Sequence, residues 1–112
     1  MNLSEFIEKG KYELVTKADY EDRQITGCYV GDLLSWVMGR ADSGDVWITV
    51  MSNINIVAVA SLVDAACILL AEGVSVDEDI ISKANARDIV ILKSEKTGYE
   101  LCADYYKFSK ND

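Results

Sequence analysis

Between residues 46 and 71 the chain carries a single charged side chain, Asp64. A run of that kind has two physical outcomes, a membrane span or the buried centre of a folded domain. Ser52, Asn53 and Asn55 interrupt its first third and Asp64 interrupts the rest, leaving pieces of strand length and helix length. The centre of a domain is therefore expected, with no membrane as partner. Residues 46–50 read as a strand, 51–53 as a turn, and the stretch from Ile54 as a helix. Its residues Ile56, Val57, Ala58, Val59, Ala60, Leu62 and Val63 are apolar all round, which predicts burial on more than one side. Residues 65–70 form a continuous apolar run, the pattern of a parallel strand covered on both faces.

The flanking segments continue the alternation. Asn2 with Glu5 predicts a capping box for a first helix that ends at Gly10. Tyr12, Leu14 and Thr16 then alternate as in a strand at a sheet edge, and the acid-rich residues 17–24 read as a solvated loop. A strand over residues 25–30 runs into Gly31 and Asp32, where Asp32 is placed to cap a helix starting at Leu33. That helix should bury Leu33, Leu34, Val37 and Met38, with Trp36 off the stripe, before a turn over residues 39–44. Ser75 with Glu78 predicts a second capping box, for a helix burying Ile80, Ile81 and Ala84. The next strand covers residues 89–92. Thr97 with Glu100 then opens a last helix carrying Tyr99, Leu101, Cys102, Tyr105, Tyr106 and Phe108. Successive strand–helix–strand units with short joints predict an α/β fold, a mainly parallel β-sheet flanked by helices with right-handed crossovers.

At 112 residues one domain, 1–112, is expected. A net charge of −8 repels phosphate backbones and anionic lipid, so nucleic acid is excluded as a partner. Cys28, Cys67 and Cys102 are widely spaced among apolar neighbours, and the chain has no histidine to complete a metal or nucleophile pair. They read as buried thiols, and no metal or cofactor is expected. The first nine residues form a polar amphipathic pattern without the apolar run of a secretory leader. With an odd cysteine count, this places the chain in a reducing compartment, the cytoplasm.

In parallel sheets ligands sit beyond the carboxyl ends of the strands, where loops enter helices. Asp32, then Ser52, Asn53 and Asn55, then Glu72 and Gly73 occupy the three loops of that kind. Two readings are open: a pocket for a small polar ligand, or residues that only cap helices and turn the chain. Catalytic signatures fail. The glycines at 31, 39, 44 and 73 are isolated, so no phosphate-cradling loop exists, and Ser52 lies in no nucleophile elbow. Asp32 with Glu72 is the one acid–base pair to consider, and each has a plainer role as cap and turn residue. The chain is therefore expected not to be an enzyme. The apolar helix, the off-stripe Trp36 and the Tyr105-Tyr106 pair leave two readings open: a well-covered core rimmed by amphipathic aromatics, or a homodimer through Trp36, Val57, Ala58, Ala60 and Ser61, whose small members allow close helix packing.

The blocks Gly31-Asp32-Leu33-Leu34-Ser35, Trp47-Ile48-Thr49-Val50, Asn55-Ile56-Val57-Ala58-Val59-Ala60 and Ala71-Glu72-Gly73 resemble the stand-alone members of the DRTGG domain family. The likeness spans residues 12–108. It implies a fold similar to the N-terminal domain of the HPr serine kinase/phosphatase, without the kinase's P-loop half. Related domains sit in CBS-domain pyrophosphatases and beside phosphotransacetylases, which implies a regulatory or dimerising role, with a small-molecule ligand or protein partner. The family's Asp-Arg and Thr-Gly-Gly residues fall here at Ser52-Asn53 and Ala71-Glu72-Gly73, so only Gly73 is kept. Loss of the arginine removes the guanidinium that could hold an anion through two parallel hydrogen bonds. Asp22-Arg23 matches the family name by letters alone and carries no role.

Overall fold

The computed structural model describes residues 1–20 and 23–110. Its elements run α1 (Leu3–Gly10), β1 (Glu13–Leu14), β2 (Gly27–Val30), α2 (Leu34–Arg40), β3 (Asp45–Thr49), α3 (Asn55–Val63), β4 (Cys67–Leu70), α4 (Glu78–Ala86), β5 (Ile91–Lys93) and α5 (Gly98–Lys110). The five strands form one sheet in the order β1-β5-β4-β3-β2. The pairs β2–β3, β3–β4 and β4–β5 are parallel, and β1 runs antiparallel to β5 at the edge. The expected α/β architecture, a mainly parallel sheet with helices on it, is what forms.

Strands two to five are neighbours in chain order, so the crossovers all step in one direction. Connections of one hand then put their helices on one face. Val37 of α2, four residues of α3, and Ile80 and Ala84 of α4 accordingly share a core with Trp47, Ile68, Leu70 and Ile91. The opposite face holds α1 and α5, whose Leu3, Phe6 and Leu101 pack on Val46, Ile48, Cys67, Leu69 and Leu92. Neighbouring residues of each central strand thus serve opposite cores, the period-two consequence of a sheet covered on both sides.

The returns from helix to strand share a device. After α1, α3 and α4 the backbone turns left-handed at Lys11, Asp64 and Asp88, and before β3 it does so at Gly44. A left-handed residue ends a helix and redirects the chain within one step. Arg23 clips two returns together: it donates to the carbonyls of Ala66, Asp19 and Asp88 and forms an ion pair with the Asp88 carboxylate at 3.4 Å. The letter-matching Asp22 lies outside the described residues.

Two of the three expected capping boxes form. The Glu5 amide donates to Asn2 Oδ1 at 2.8 Å, and the Glu100 amide donates to Thr97 Oγ1 at 3.2 Å, each with the reciprocal bond present. The third does not form. The chain stays extended to Asp77, so Glu78 is the first residue of α4 rather than the third, and the Ser75 carbonyl instead accepts the Ser52 hydroxyl.

The helix α2 departs most from expectation. It begins at Leu34, runs through Gly39 to Arg40, and buries only Val37. Leu33 and Met38 are exposed by 57% and 45%. The cause is position: β2 is the last strand of the sheet among the described residues, so none of these strands lies beneath the outer side of α2. Likewise α3 is covered by the sheet and its neighbours α2 and α4, and is open elsewhere, with Leu62 at 69% exposure.

Candidate functional site

The three loops that follow β2, β3 and β4 do gather at the carboxyl end of the parallel strands. Their polar groups, however, are engaged with one another. Asp32 Oδ1 accepts the Thr49 hydroxyl at 2.6 Å and the Val50 amide at 3.0 Å, while Thr49 Oγ1 accepts the Met51 amide. Asp32 therefore fastens the end of β3 and is not a helix cap. Leu33, extended at φ −87°, is the N-cap residue of α2, which moves the helix start beyond the reach of Asp32. Beside it Trp47 Nε1 donates to the Gly31 carbonyl at 2.9 Å, fixing the last turn of β2 on β3.

In the next loop Asn53 Oδ1 accepts the Asn55 amide at 2.9 Å, an Asx turn that shapes the entry to α3. Ser52 Oγ reaches across to the Ser75 carbonyl at 2.6 Å and ties this loop to the one before α4. In the third loop Glu72 and Gly73 are both left-handed, with φ of 64° and 66°. Their amides donate to the carbonyls of Lys96 and Ser94, and the Glu95 carboxylate lies where a Gly73 side chain would begin. The backbone conformation therefore favours Gly73, whereas the exposed Glu95 carboxylate could swing aside for a larger side chain. Asn55 and Glu72 are exposed.

Of the two carboxylates considered as an acid–base pair, Asp32 is held at the end of β3 and Glu72 sits exposed on a left-handed turn. Among the described residues no group of three or more Cys, Asp or Glu side chains could hold a metal ion. Cys67 is buried, whereas Cys28 and Cys102 are partly so, and all three border the face that carries α1 and α5. Burial, with Cys102 and Asp45 nearby, pushes the Cys28 thiol up to about 12. Burial raises the other two as well. Thiols held protonated at neutral pH are poor nucleophiles and poor metal ligands.

Two clefts lie elsewhere, and sequence reasoning passed over both. One, of about 490 Å³, opens at the amino ends of the strands, rimmed by Thr26, Gly44, Asp64, Arg87 and Asp88 with Arg23. The other, of about 600 Å³, lies beside β1 between Lys9, Lys11, Glu13, Lys93, Glu95 and Lys96. The left-handed turns at Gly44, Asp64 and Asp88 make the first, and nothing in the sequence spacing of residues 26, 44, 64 and 87 announces it. Lys96 of the second is bound to Asp104 at 2.7 Å, which offsets part of its positive charge.

The candidate interface residues divide. Trp36, Ala58 and Ser61 are exposed, the first by 52% with the Arg40 guanidinium 3.8 Å above its ring. Val57 and Ala60 are fully enclosed in the core under α3. They face the sheet, so no second molecule can touch them; the outer surface of α3 is Ala58, Ser61 and Leu62.

No protein-family model matches the chain, and no curated protein sequence does. Among solved structures it is similar to the CBS and DRTGG domains of the regulatory region of Clostridium perfringens pyrophosphatase, crystallised with the activator diadenosine tetraphosphate. The TM-score is 0.69 at 12% identity, over 91% of this chain and 44% of that one. The chain spans less than half of that regulatory region. At such identity the likeness is one of fold: a mostly parallel five-stranded sheet flanked by helices, of a kind found in a regulatory region.

Proposed function

We propose that this chain is a non-catalytic regulatory or interaction domain, related to DRTGG modules and folding as one unit, that works in the cytoplasm as a homodimer. The observation that carries the proposal is where the spare apolar surface lies. Among the described residues, seven of the ten exposed large apolar side chains are Val30, Leu33, Trp36, Met38, Val50, Ile54 and Leu62. All seven belong to the β2–α2–β3–α3 stretch, about a third of the chain, whereas the remaining three, Leu14, Tyr99 and Tyr106, are scattered. Isolated exposed apolar residues need no explanation, but concentration in one region marks an interaction surface. Trp36 fits the centre of such a surface, since aromatic residues dominate interface energetics. The inward use of Asp32, Ser52 and Asn53 supports a role without chemistry at the strand ends.

A second proposal, a small-ligand sensor, draws support from the nucleotide activator bound by the structural neighbour. Its ligand would meet the exposed Asn55 and Glu72 beside Gly73. Thermal melting separates the two. A homodimer raises its melting temperature with protein concentration, whereas a sensor responds to ligand at fixed protein. The expected result is a dependence on protein concentration, with no shift from a panel of adenine and guanine nucleotides at millimolar level. A melting temperature independent of protein concentration would contradict the homodimer, and a nucleotide-dependent rise would establish the sensor.

A further inference from the structure

We propose that two copies of this chain join through β2, edge to edge and antiparallel about a two-fold axis, so that their sheets become continuous. The pairing rests on the homodimer proposed above and names the groups that make it.

The sheet has two edges, β1 and β2. Exposed edges invite pairing with other chains, and proteins blunt them with short strands, charges, prolines or bulges. The strand β2 itself contains no charge and no proline, while its lead-in is already paired, the Ile25 amide donating to the Met1 carbonyl beside an antiparallel Asn2–Gln24 bridge. The Gly31 amide donates to the Ile48 carbonyl across the β2–β3 ladder. Strand alternation then turns the amides and carbonyls of Cys28 and Val30 the other way, to the side where no described strand lies. The Val30 side chain is 49% exposed at that edge.

Charge identifies the occupant. Residues 25–40 hold one acid, Asp32, and one base, Arg40, so this segment has no net charge although the whole chain carries −8. Both are already committed, Asp32 to Thr49 and Val50, and Arg40 to the Trp36 ring. Two copies meeting here avoid the like-charge repulsion that contact through acidic surface would bring. A basic partner would be drawn to the acidic surface instead. An uncharged strand edge is also complementary to itself, since a two-fold axis lays it antiparallel on its own copy, as an isologous contact requires. Leu33 and Trp36, exposed on the helix that follows β2, would extend the contact beyond the backbone bonds.

Amide hydrogen exchange on the full chain, followed residue by residue between about 1 and about 200 micromolar, reads this directly. The Cys28 and Val30 amides should exchange at least about tenfold more slowly at the high concentration, while the Tyr29 amide, already bonded within the sheet, stays protected throughout. Val30→Lys places like charges across the two-fold seam. It should be monomeric by light scattering yet keep a near wild-type melting curve at low concentration. A wild-type dimer whose Cys28 and Val30 amides exchange at one rate at all concentrations overturns the edge pairing and leaves the homodimer standing. A wild-type monomer at every concentration overturns both. Should Val30→Lys fail to fold, the wild-type exchange rates decide alone.

Discussion

The two edges of the sheet solve the same problem differently. At β1 the strand is two residues long, carries Glu13 and runs antiparallel, and its neighbour Thr16 turns inward so that Oγ1 accepts the Ile91 amide at 3.1 Å. Beyond it the chain is charged, with Lys11, Lys93 and Lys96 close by. At β2 the strand is four residues long and uncharged, and the adjoining helix leaves Leu33, Trp36 and Met38 in solvent. One edge is blunted against other chains, and along the other, β2, no strand lies among the described residues. The apolar excess of this molecule is therefore local, and its location, more than its amount, points to a partner.

Substitutions on the two sides should separate what holds each edge in place from what it offers outward. The largest effect is expected at Trp47, fully buried under α2 and α3 and bonded to the Gly31 carbonyl. Trp47→Ala should lower stability by about 3–5 kcal/mol in urea unfolding, because it opens a large cavity and releases the end of β2. Thr16→Val on the β1 side keeps the shape but leaves the buried Ile91 amide unpaired, and about 2 kcal/mol should be lost. If Thr16→Val proves neutral, β1 is not fastened by that bond. Asp32→Ala should cost about 1 kcal/mol, through the partly exposed bonds to Thr49 and Val50. The smallest effect on stability belongs to Trp36→Ala, within about 0.5 kcal/mol for a surface change. The same variant should weaken self-association by a factor of about 30, the loss of a typical aromatic anchor. A Trp36→Ala variant that unfolds early but associates normally would reverse the assignment of this side as an interface.

Much of this architecture is legible in the sequence. The unbroken apolar run of β4 and the strand–helix rhythm require a parallel sheet covered on both faces, and the capping boxes at Asn2 and Thr97 mark helix starts through local bonds alone. Less legible is anything set by lateral position. A sequence shows that α2 has an apolar stripe but not that its strand is the last in the sheet, which is why the stripe alone sends Leu33 and Met38 inside when both lie in solvent. Nor does it show which side of an apolar helix meets the sheet, so composition points Val57 and Ala60 to an interface that they cannot reach. At the strand ends the residues are legible but not their use. Asp32 and Ser75 have the chemistry of caps, but the Thr49 hydroxyl claims the Asp32 carboxylate, and α4 begins only at Glu78, past the reach of Ser75. Non-local hydrogen bonds of that kind leave no pattern in local spacing.

Light scattering on the purified chain at tens of micromolar tests the central claim, that the open β2–α2 side exists to be covered by a second copy. The account predicts a particle of twice the 12.4 kDa chain mass. That mass should fall to the single-chain value in Val30→Lys and toward it in Trp36→Ala. A wild-type protein that scatters as 12.4 kDa throughout would contradict it.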